Sequence, residues 1–140
     1  MSALIKILIG GQALLSLGSD RATNDIDYLI NDNTTKEAFI VSPDVDYLNA
    51  NGNKFFMEVF NAEKGNKIAT PQSIFDLKAY ALEQHYQNCN FAKAAACEYD
   101  LKFLAINYGV KTVKLAKKHI SNGAFIEINR IIESTTKKPC

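Results

Sequence analysis

The spacing of hydrophobic residues changes near Thr70, and the two halves of the chain follow different patterns. Before Thr70, short apolar or alternating runs are separated by turn residues, which is typical of strands joined by short helices. These runs predict strands over 5–9, 25–30 and 54–60 and a short helix over 12–17. Asn51-Gly52 predicts the turn of a β-hairpin, because both central positions of a type I′ turn need positive φ.

After Thr70 the hydrophobic period is that of α-helices. Thr70-Pro71 predicts a helix start, since threonine can cap free N–H groups and proline fits the first helical turn. Further helices are predicted over 92–108, ended by Gly109, and over 110–118 and 124–133. We find no internal repeat or linker. The pattern predicts one domain, residues 1–140, of the α/β (α+β) class, with an α/β core over 1–70 and a helical part over 71–140.

The charges of the 140 residues are unevenly distributed, although the net charge is only +1. Residues 109–140 hold seven Lys or Arg against two Glu, whereas residues 1–108 hold nine against thirteen acids. Within the basic part, Lys111, Lys114 and Lys118 fall at i, i+3 and i+7 of the predicted helix. Two interpretations stay open: a surface for an anionic partner such as RNA, or a solvated face that offsets an acidic body.

The compartment is predicted from what the sequence does not contain. The apolar run before Gly10 is short and interrupted by Lys6, which is unlike a signal peptide, and no stretch is long enough to cross a bilayer. The three cysteines include no Cys-x-x-Cys pair, so neither a disulfide framework nor a structural zinc site is indicated. We expect a cytoplasmic protein with no membrane partner.

The residues with the clearest chemical pattern are Gly10-Gly11 and the pair Asp25 and Asp27. Side chains on a strand alternate, so the two carboxylates are predicted to share one face. Like charges this close are stabilised by a hard divalent cation, of which Mg²⁺ is the simplest choice. Glycines at a helix start allow backbone N–H groups to approach a phosphate. A metal beside a phosphate site is what phosphoryl transfer requires.

Gly-Gly, thirteen residues, then Asp-hydrophobic-Asp-hydrophobic resembles the signature of the polymerase-beta-like nucleotidyltransferase superfamily. The run Arg21-Ala22-Thr23-Asn24-Asp25-Ile26-Asp27 is similar to that of its minimal prokaryotic members, including antibiotic nucleotidyltransferases and the AbiEii-type toxins of toxin–antitoxin pairs. Residues 68–82 and 98–104 also resemble elements of the AbiEii-like group. The resemblance covers about residues 5–104 and implies the nucleotidyltransferase fold, a mixed sheet with flanking helices.

The resemblance also implies site residues beyond the aspartate pair. The superfamily usually adds a third carboxylate on a neighbouring strand, and Glu58 fits because it lies between hydrophobic residues; Asp44 and Asp46 are the alternatives. Glu58 is thus a candidate catalytic residue and metal ligand together with Asp25 and Asp27. In the loop before the pair, Arg21 and Thr23 are placed to contact a triphosphate. The remaining nucleotide-binding candidates are Gly10, Gly11 and Lys78.

The function implied is transfer of a nucleoside monophosphate from an NTP to an acceptor hydroxyl, with Mg²⁺. The acceptor could be an RNA or tRNA end, a partner protein or a small molecule. Related chains carry an Arg and an Asp where this chain has Gln84-His85 and Ala94-Ala95-Ala96. That departure keeps an alternative open, a catalytically inactive nucleotidyltransferase-fold binding or antitoxin module. A third interpretation is RNA binding by the basic C-terminal part alone.

Overall fold

A computed structural model describes residues 4–21 and 23–136. The chain divides into two compact units, Met1–Thr70 and Pro71–Cys140, and the boundary falls where the hydrophobic period changes. The first unit contains β1 (Ile7–Ile9), α1 (Gly10–Ser16), β2 (Asp27–Ile30), β3 (Phe39–Val41), β4 (Asp46–Asn49), a 3₁₀ helix (Ala50–Gly52) and α2 (Lys54–Ala62). The second contains α3 (Pro71–Gln87), α4 (Phe91–Tyr108), a 3₁₀ helix (Leu115–His119) and α5 (Asn122–Thr136). The predicted α/β class is confirmed, whereas the single domain stays a prediction.

The first unit is built on a four-stranded mixed sheet with strand order β1-β2-β4-β3. β1 is antiparallel to β2, β2 is parallel to β4, and β4 is antiparallel to β3. After α2 the chain returns to β1, where the backbone N–H of Leu8 donates to the carbonyl of Lys67 at 2.8 Å. Buried side chains from the sheet and its two helices form the core: Ile7, Ile9, Leu14, Leu29, Phe55, Phe56 and Val59.

The strand predicted over 54–60 is wrong, because this segment is the helix α2. Asn53 caps the helix, and its side chain accepts a hydrogen bond from the backbone N–H of Phe56 at 3.1 Å. The buried residues are spaced as one helical stripe: Phe55, Phe56, Val59 and Phe60. The hydrophobic run therefore has a helical period, which the alternation of residues 56, 58 and 60 obscures.

The hairpin predicted at Asn51-Gly52 is also wrong. The hairpin lies between β3 and β4, and the backbone N–H of Ser42 donates to the carbonyl of Val45 across its turn at 3.2 Å. Gly52 instead allows close packing, because it has no side chain. A Cβ there would lie 2.5 Å from the carbonyl oxygen of Lys36 and 2.6 Å from the backbone nitrogen of Ala38. The glycine therefore reflects a contact with a distant segment, not a turn.

A buried carboxylate lies at the end of the first unit. Glu63 directly follows α2 and is only 3% exposed. It accepts hydrogen bonds from the backbone N–H of Thr70 at 2.6 Å, from the Thr70 hydroxyl at 3.0 Å and from the Asn66 amide at 3.4 Å. α3 then begins at Pro71, as the sequence predicts.

The second unit is helical, with a core of Ile74, Phe75, Leu82, Leu101, Leu104 and Ile128. α4 ends at Gly109, which adopts the left-handed conformation with φ 66°, as predicted. The helix predicted over 110–118 is wrong, because only Leu115–His119 is helical and its helix is 3₁₀. In the described part of the chain, no helix has the length and apolar character needed to cross a membrane.

Asp76 on α3 explains why residues 110–118 do not form an α-helix. It is 1% exposed, and its carboxylate accepts hydrogen bonds from the backbone N–H groups of Lys114 at 2.8 Å and Ala116 at 3.4 Å. A local helix would satisfy those groups within the segment, whereas here a distant side chain does so. Burial raises the pKa of Asp76, and the hydrogen bonds that it accepts oppose this shift.

Candidate functional site

The glycine turn lies directly against Asp27. Ile9, the last residue of β1, is paired with Asp27 at the start of β2, so the turn into α1 is beside this carboxylate. Gly10 has φ 68°, and a Cβ added there would lie 2.5 Å from Oδ2 of Asp27. Both observations require glycine at this position. The predicted proximity of the Gly-Gly turn and the aspartate segment is therefore present.

Thr23 holds the loop before β2 against α1. A Cβ added at Gly11 would lie 3.1 Å from Oγ1 of Thr23, so the threonine occupies the space that the glycine leaves. The Gln12 amide donates to the carbonyl of Thr23 at 3.2 Å, and the backbone N–H of Asp25 donates to the Thr23 hydroxyl at 3.2 Å. Gly10, Gly11, Thr23 and the aspartate segment thus form one local cluster.

Asp25 and Asp27 differ in their surroundings. β2 begins at Asp27, so Asp25 lies in the preceding loop, where it is exposed, while Asp27 is half-buried. The predicted strand over 25–30 is therefore two residues too long at its start. The backbone pairing with β4 does reach Ile26, whose carbonyl accepts from the N–H of Asp46 at 3.0 Å.

The carboxylate on the strand beside Asp27 is Asp46. In the parallel pair of β2 and β4, Asp27 is in register with Asp46. Residues in register on neighbouring strands point to the same face, with the strands about 4.8 Å apart. Asp46 is exposed, so this end of the sheet presents two acidic side chains to solvent. Of the alternatives to Glu58, the register favours Asp46 over Asp44.

The reason for choosing Glu58 does not hold in the structure. A strand over 54–60 would have placed Phe56 and Phe60 on the same face as Glu58, but the residue lies on the helix α2. In a helix those two phenylalanines share a face, and residue 58 is rotated about 160° from Phe60. Glu58 is half-buried and lies outside the stripe of residues that packs into the core.

A short repeat in the sequence identifies Asp46, and the sequence analysis missed it. Asp-aliphatic-Asp-Tyr-Leu occurs at residues 25–29 and again at 44–48. The parallel strands pair the copies position by position, including Tyr28 with Tyr47, whose rings stack with centroids 6.3 Å apart. The prediction that the chain has no internal repeat is therefore wrong for this five-residue segment. The second copy is the signal that could have selected Asp46.

The two predicted cationic residues have different positions. Arg21 lies in the loop before β2, half-buried, and its backbone N–H donates to the Ser19 hydroxyl at 3.3 Å. Lys78 lies on α3 in the second unit, where its Nζ forms an ion pair with Oδ2 of Asp100 at 3.1 Å. The Lys78 side chain is 19% exposed and that of Asp100 is 0% exposed. The charge of Lys78 is thus matched by a buried carboxylate.

The carboxylate oxygens of this cluster suit Mg²⁺, which needs few protein ligands, better than a metal that is bound by protein side chains alone. Among the described residues, no group of three or more His, Cys, Asp or Glu side chains is arranged to hold a metal ion. Mg²⁺ is usually bound by one or two carboxylates, with waters and substrate phosphates completing its shell. Asp27 and Asp46 could supply such a pair.

No protein-family model matches the chain, and neither the curated proteins nor the solved structures contain a match.

Proposed function

We propose that this protein is a Mg²⁺-dependent nucleotidyltransferase, which moves a nucleoside monophosphate from an NTP to an acceptor hydroxyl. The single observation that supports it most is the contact between the Gly10 turn and Asp27, with Asp46 in register beside it. A turn with backbone N–H groups next to paired carboxylates would provide both requirements of phosphoryl transfer, positioning and neutralisation of charge. The nucleotidyltransferase fold and a cytoplasmic location are part of this proposal.

Each residue of the cluster has a role in this proposal. Asp27 and Asp46 hold the magnesium, and Asp25 lies close enough in sequence to contribute a further oxygen. Gly10 and Gly11 contribute backbone N–H groups to the phosphates, and the space of their missing Cβ atoms holds Asp27 and Thr23 against the turn. Arg21 and Thr23 bind the triphosphate from the loop before β2. When bound, Mg²⁺ supplies Lewis-acid stabilisation of the charge on the phosphate oxygens.

The reaction forms one phosphorus–oxygen bond and breaks another. The acceptor hydroxyl oxygen bonds to the α-phosphorus, the bond from that phosphorus to the bridging oxygen breaks, and pyrophosphate leaves. A carboxylate within reach of the hydroxyl accepts its proton. We assign this base role to Asp46, because it is the exposed member of the pair. An RNA or tRNA end, a protein and a small molecule all remain candidate acceptors.

Carboxamide substitutions test the proposal with little change of shape. We expect Asp27→Asn and Asp46→Asn to lose Mg²⁺-dependent NTP binding, measured by calorimetry, and transfer of labelled nucleotide to total RNA or protein. Glu58→Gln is the matched control, because it also neutralises one carboxylate of the first unit but lies on α2. If Glu58→Gln loses metal binding and Asp46→Asn keeps it, the assignment of the second carboxylate is wrong.

A second candidate function is a catalytically inactive nucleotidyltransferase-fold module that acts as a binding module or as an antitoxin. The ion pair of Lys78 with Asp100 favours it, because a lysine bound to a buried carboxylate is less able to contact phosphate. Calorimetry separates the two candidates. Wild-type protein that gives no Mg²⁺-dependent heat with any of the four NTPs would support the inactive module and contradict the enzyme.

A further inference from the structure

Residues 110–117 of the second unit have a three-residue repeat of buried and exposed positions. The buried positions are Val110, Val113 and Ala116. Each is followed by an exposed lysine, and these are Lys111, Lys114 and Lys117. We call these three residues the lysine row. Lys117 lies in the 3₁₀ helix Leu115–His119, Lys114 directly precedes that helix, and Lys111 lies in the irregular segment before it.

Side chains of α3 and α5 form hydrogen bonds with the segment that carries the lysine row. Asp76 bonds to the backbone N–H groups of Lys114 and Ala116, and the Gln72 amide donates to the carbonyl of Thr112 at 3.0 Å. The Thr112 hydroxyl donates to Oδ1 of Asn129 on α5 at 3.2 Å. Because these bonds already order the segment, binding a ligand would mainly require ordering of the lysine side chains.

Nearby acids leave most of the charge of the lysine row unmatched. Asp76 is buried below it, and Glu83 accepts hydrogen bonds from Ser121. Glu127 forms an ion pair with Arg130. Within residues 4–21 and 23–136, neither Lys111 nor Lys114 forms an ion pair. The Nζ of Lys117 lies 5.1 Å from the ring centre of Phe125, which places an aromatic side chain at the end of the lysine row.

These features fit the phosphate backbone of a nucleic acid better than a protein or a membrane. Protein interfaces are depleted in lysine and depend on aromatic and apolar anchors. Membrane binding by a basic segment also needs exposed apolar side chains. The apolar residues of 110–119 are buried or half-buried, so the segment presents mainly positive charge. Lysine is a point charge that suits phosphate and reads no sequence.

We propose that the lysine row binds the phosphodiester backbone of a nucleic acid, and that this binding does not require the proposed transfer reaction. Full-length protein is titrated into labelled single-stranded RNA of about 20 nucleotides and, separately, a DNA duplex of similar length, with fluorescence anisotropy as the readout. The tighter ligand identifies the type of nucleic acid.

The test variant is Lys111→Gln/Lys114→Gln/Lys117→Gln. Each lost phosphate contact on a single strand lowers the salt slope by about 0.7, so three lower it by about 2 and weaken binding about 100-fold near 0.1 M salt. The matched control is Lys36→Gln/Lys64→Gln/Lys67→Gln, which removes the same charge from exposed positions of the first unit. We expect the control to change affinity by less than about threefold, because these lysines do not belong to the lysine row and exposed charges outside a binding site are screened by salt.

Three outcomes would overturn the proposal. The wild-type protein could bind neither nucleic acid at low salt, as expected if the lysine row contacts an acidic protein. The two triple variants could lose equal affinity, which would indicate a general charge effect. The salt slope of the test variant could equal that of wild type. Asp27→Asn is measured in parallel, and unchanged RNA affinity in that variant keeps failure of the transfer reaction distinct from failure of nucleic-acid binding.

Discussion

Replacing Gly10 with alanine tests the contact that defines the candidate site. Gly10 has φ 68°, and an L-residue in that conformation costs about 1–2 kcal/mol. The added Cβ would lie 2.5 Å from Oδ2 of Asp27, whereas ordinary contact begins at 3.4 Å, so the carboxylate must move by about 0.9 Å. Because Oδ2 is the free end of a flexible side chain, this movement adds about 0.5–1.5 kcal/mol, the cost of a side chain displaced from its preferred rotamer. We therefore expect Gly10→Ala to lower the free energy of unfolding by about 1.5–3.5 kcal/mol.

Gly109 provides a matched control for the backbone strain. Its φ is 66°, almost that of Gly10, but a Cβ added there would meet nothing within 4 Å. Gly109→Ala should therefore lose only the conformational part, about 1–2 kcal/mol. Urea unfolding of both variants measures the two losses, and their difference isolates the contact with Asp27. This readout is independent of any activity of the protein.

The same variant should also impair the proposed function. A catalytic or ligand group displaced by about 1 Å can cost about 100-fold in rate, so we expect nucleotide transfer and Mg²⁺-dependent NTP binding to fall in Gly10→Ala and persist in Gly109→Ala. Unchanged Mg²⁺-dependent NTP binding in Gly10→Ala would show that the site does not need the Asp27 carboxylate in its position against the turn. That result would refute the reasoning on which the candidate site depends.

Two further predictions concern buried carboxylates of the second unit. Lys78→Met leaves the buried Asp100 carboxylate without its ammonium partner, so urea unfolding should show a loss of about 3–5 kcal/mol; a loss below about 1 kcal/mol would indicate that water screens the pair. Burial raises the pKa of Asp76 in the folded state above 3.8, so the protonated carboxyl favours folding. This contribution to the free energy of unfolding is complete below pH 3.8 and is lost as the pH rises through the folded-state pKa. Asp76→Asn should remove this decline from urea unfolding measured at increasing pH, and an unchanged pH profile would contradict the assignment.

Local signals in the sequence predicted much of the fold. The Gly-Gly turn after β1, the start of α3 at Pro71 and the end of α4 at Gly109 each depend on the conformational preference of one residue type. Such preferences act over a few residues, so a single sequence is sufficient to read them. The proximity of Gly10 to Asp27 was also predictable, because only a short helix and loop separate the two strands.

The errors arose where distant residues determine the local structure. The 110–118 segment has a helical pattern of lysines, but Asp76, on another helix, bonds to its backbone instead. Gly52 resembles a turn glycine, although its role is to admit the backbone of Ala38. The pairing of β2 with β4 places Asp46 beside Asp27, and strand order cannot be derived from hydrophobic spacing. Glu58 was chosen because α2 was taken for a strand.

The hydrogen bonds of Glu63 have a practical consequence for dissecting the chain. Thr70 is the last residue of the first unit by sequence, and through Glu63 it is also attached to the end of α2. An expression fragment that stops a few residues earlier would remove two donors from a carboxylate that is almost fully enclosed. Fragments intended to isolate the sheet should therefore extend through Thr70, so that the last helix of the fragment retains its closing bonds.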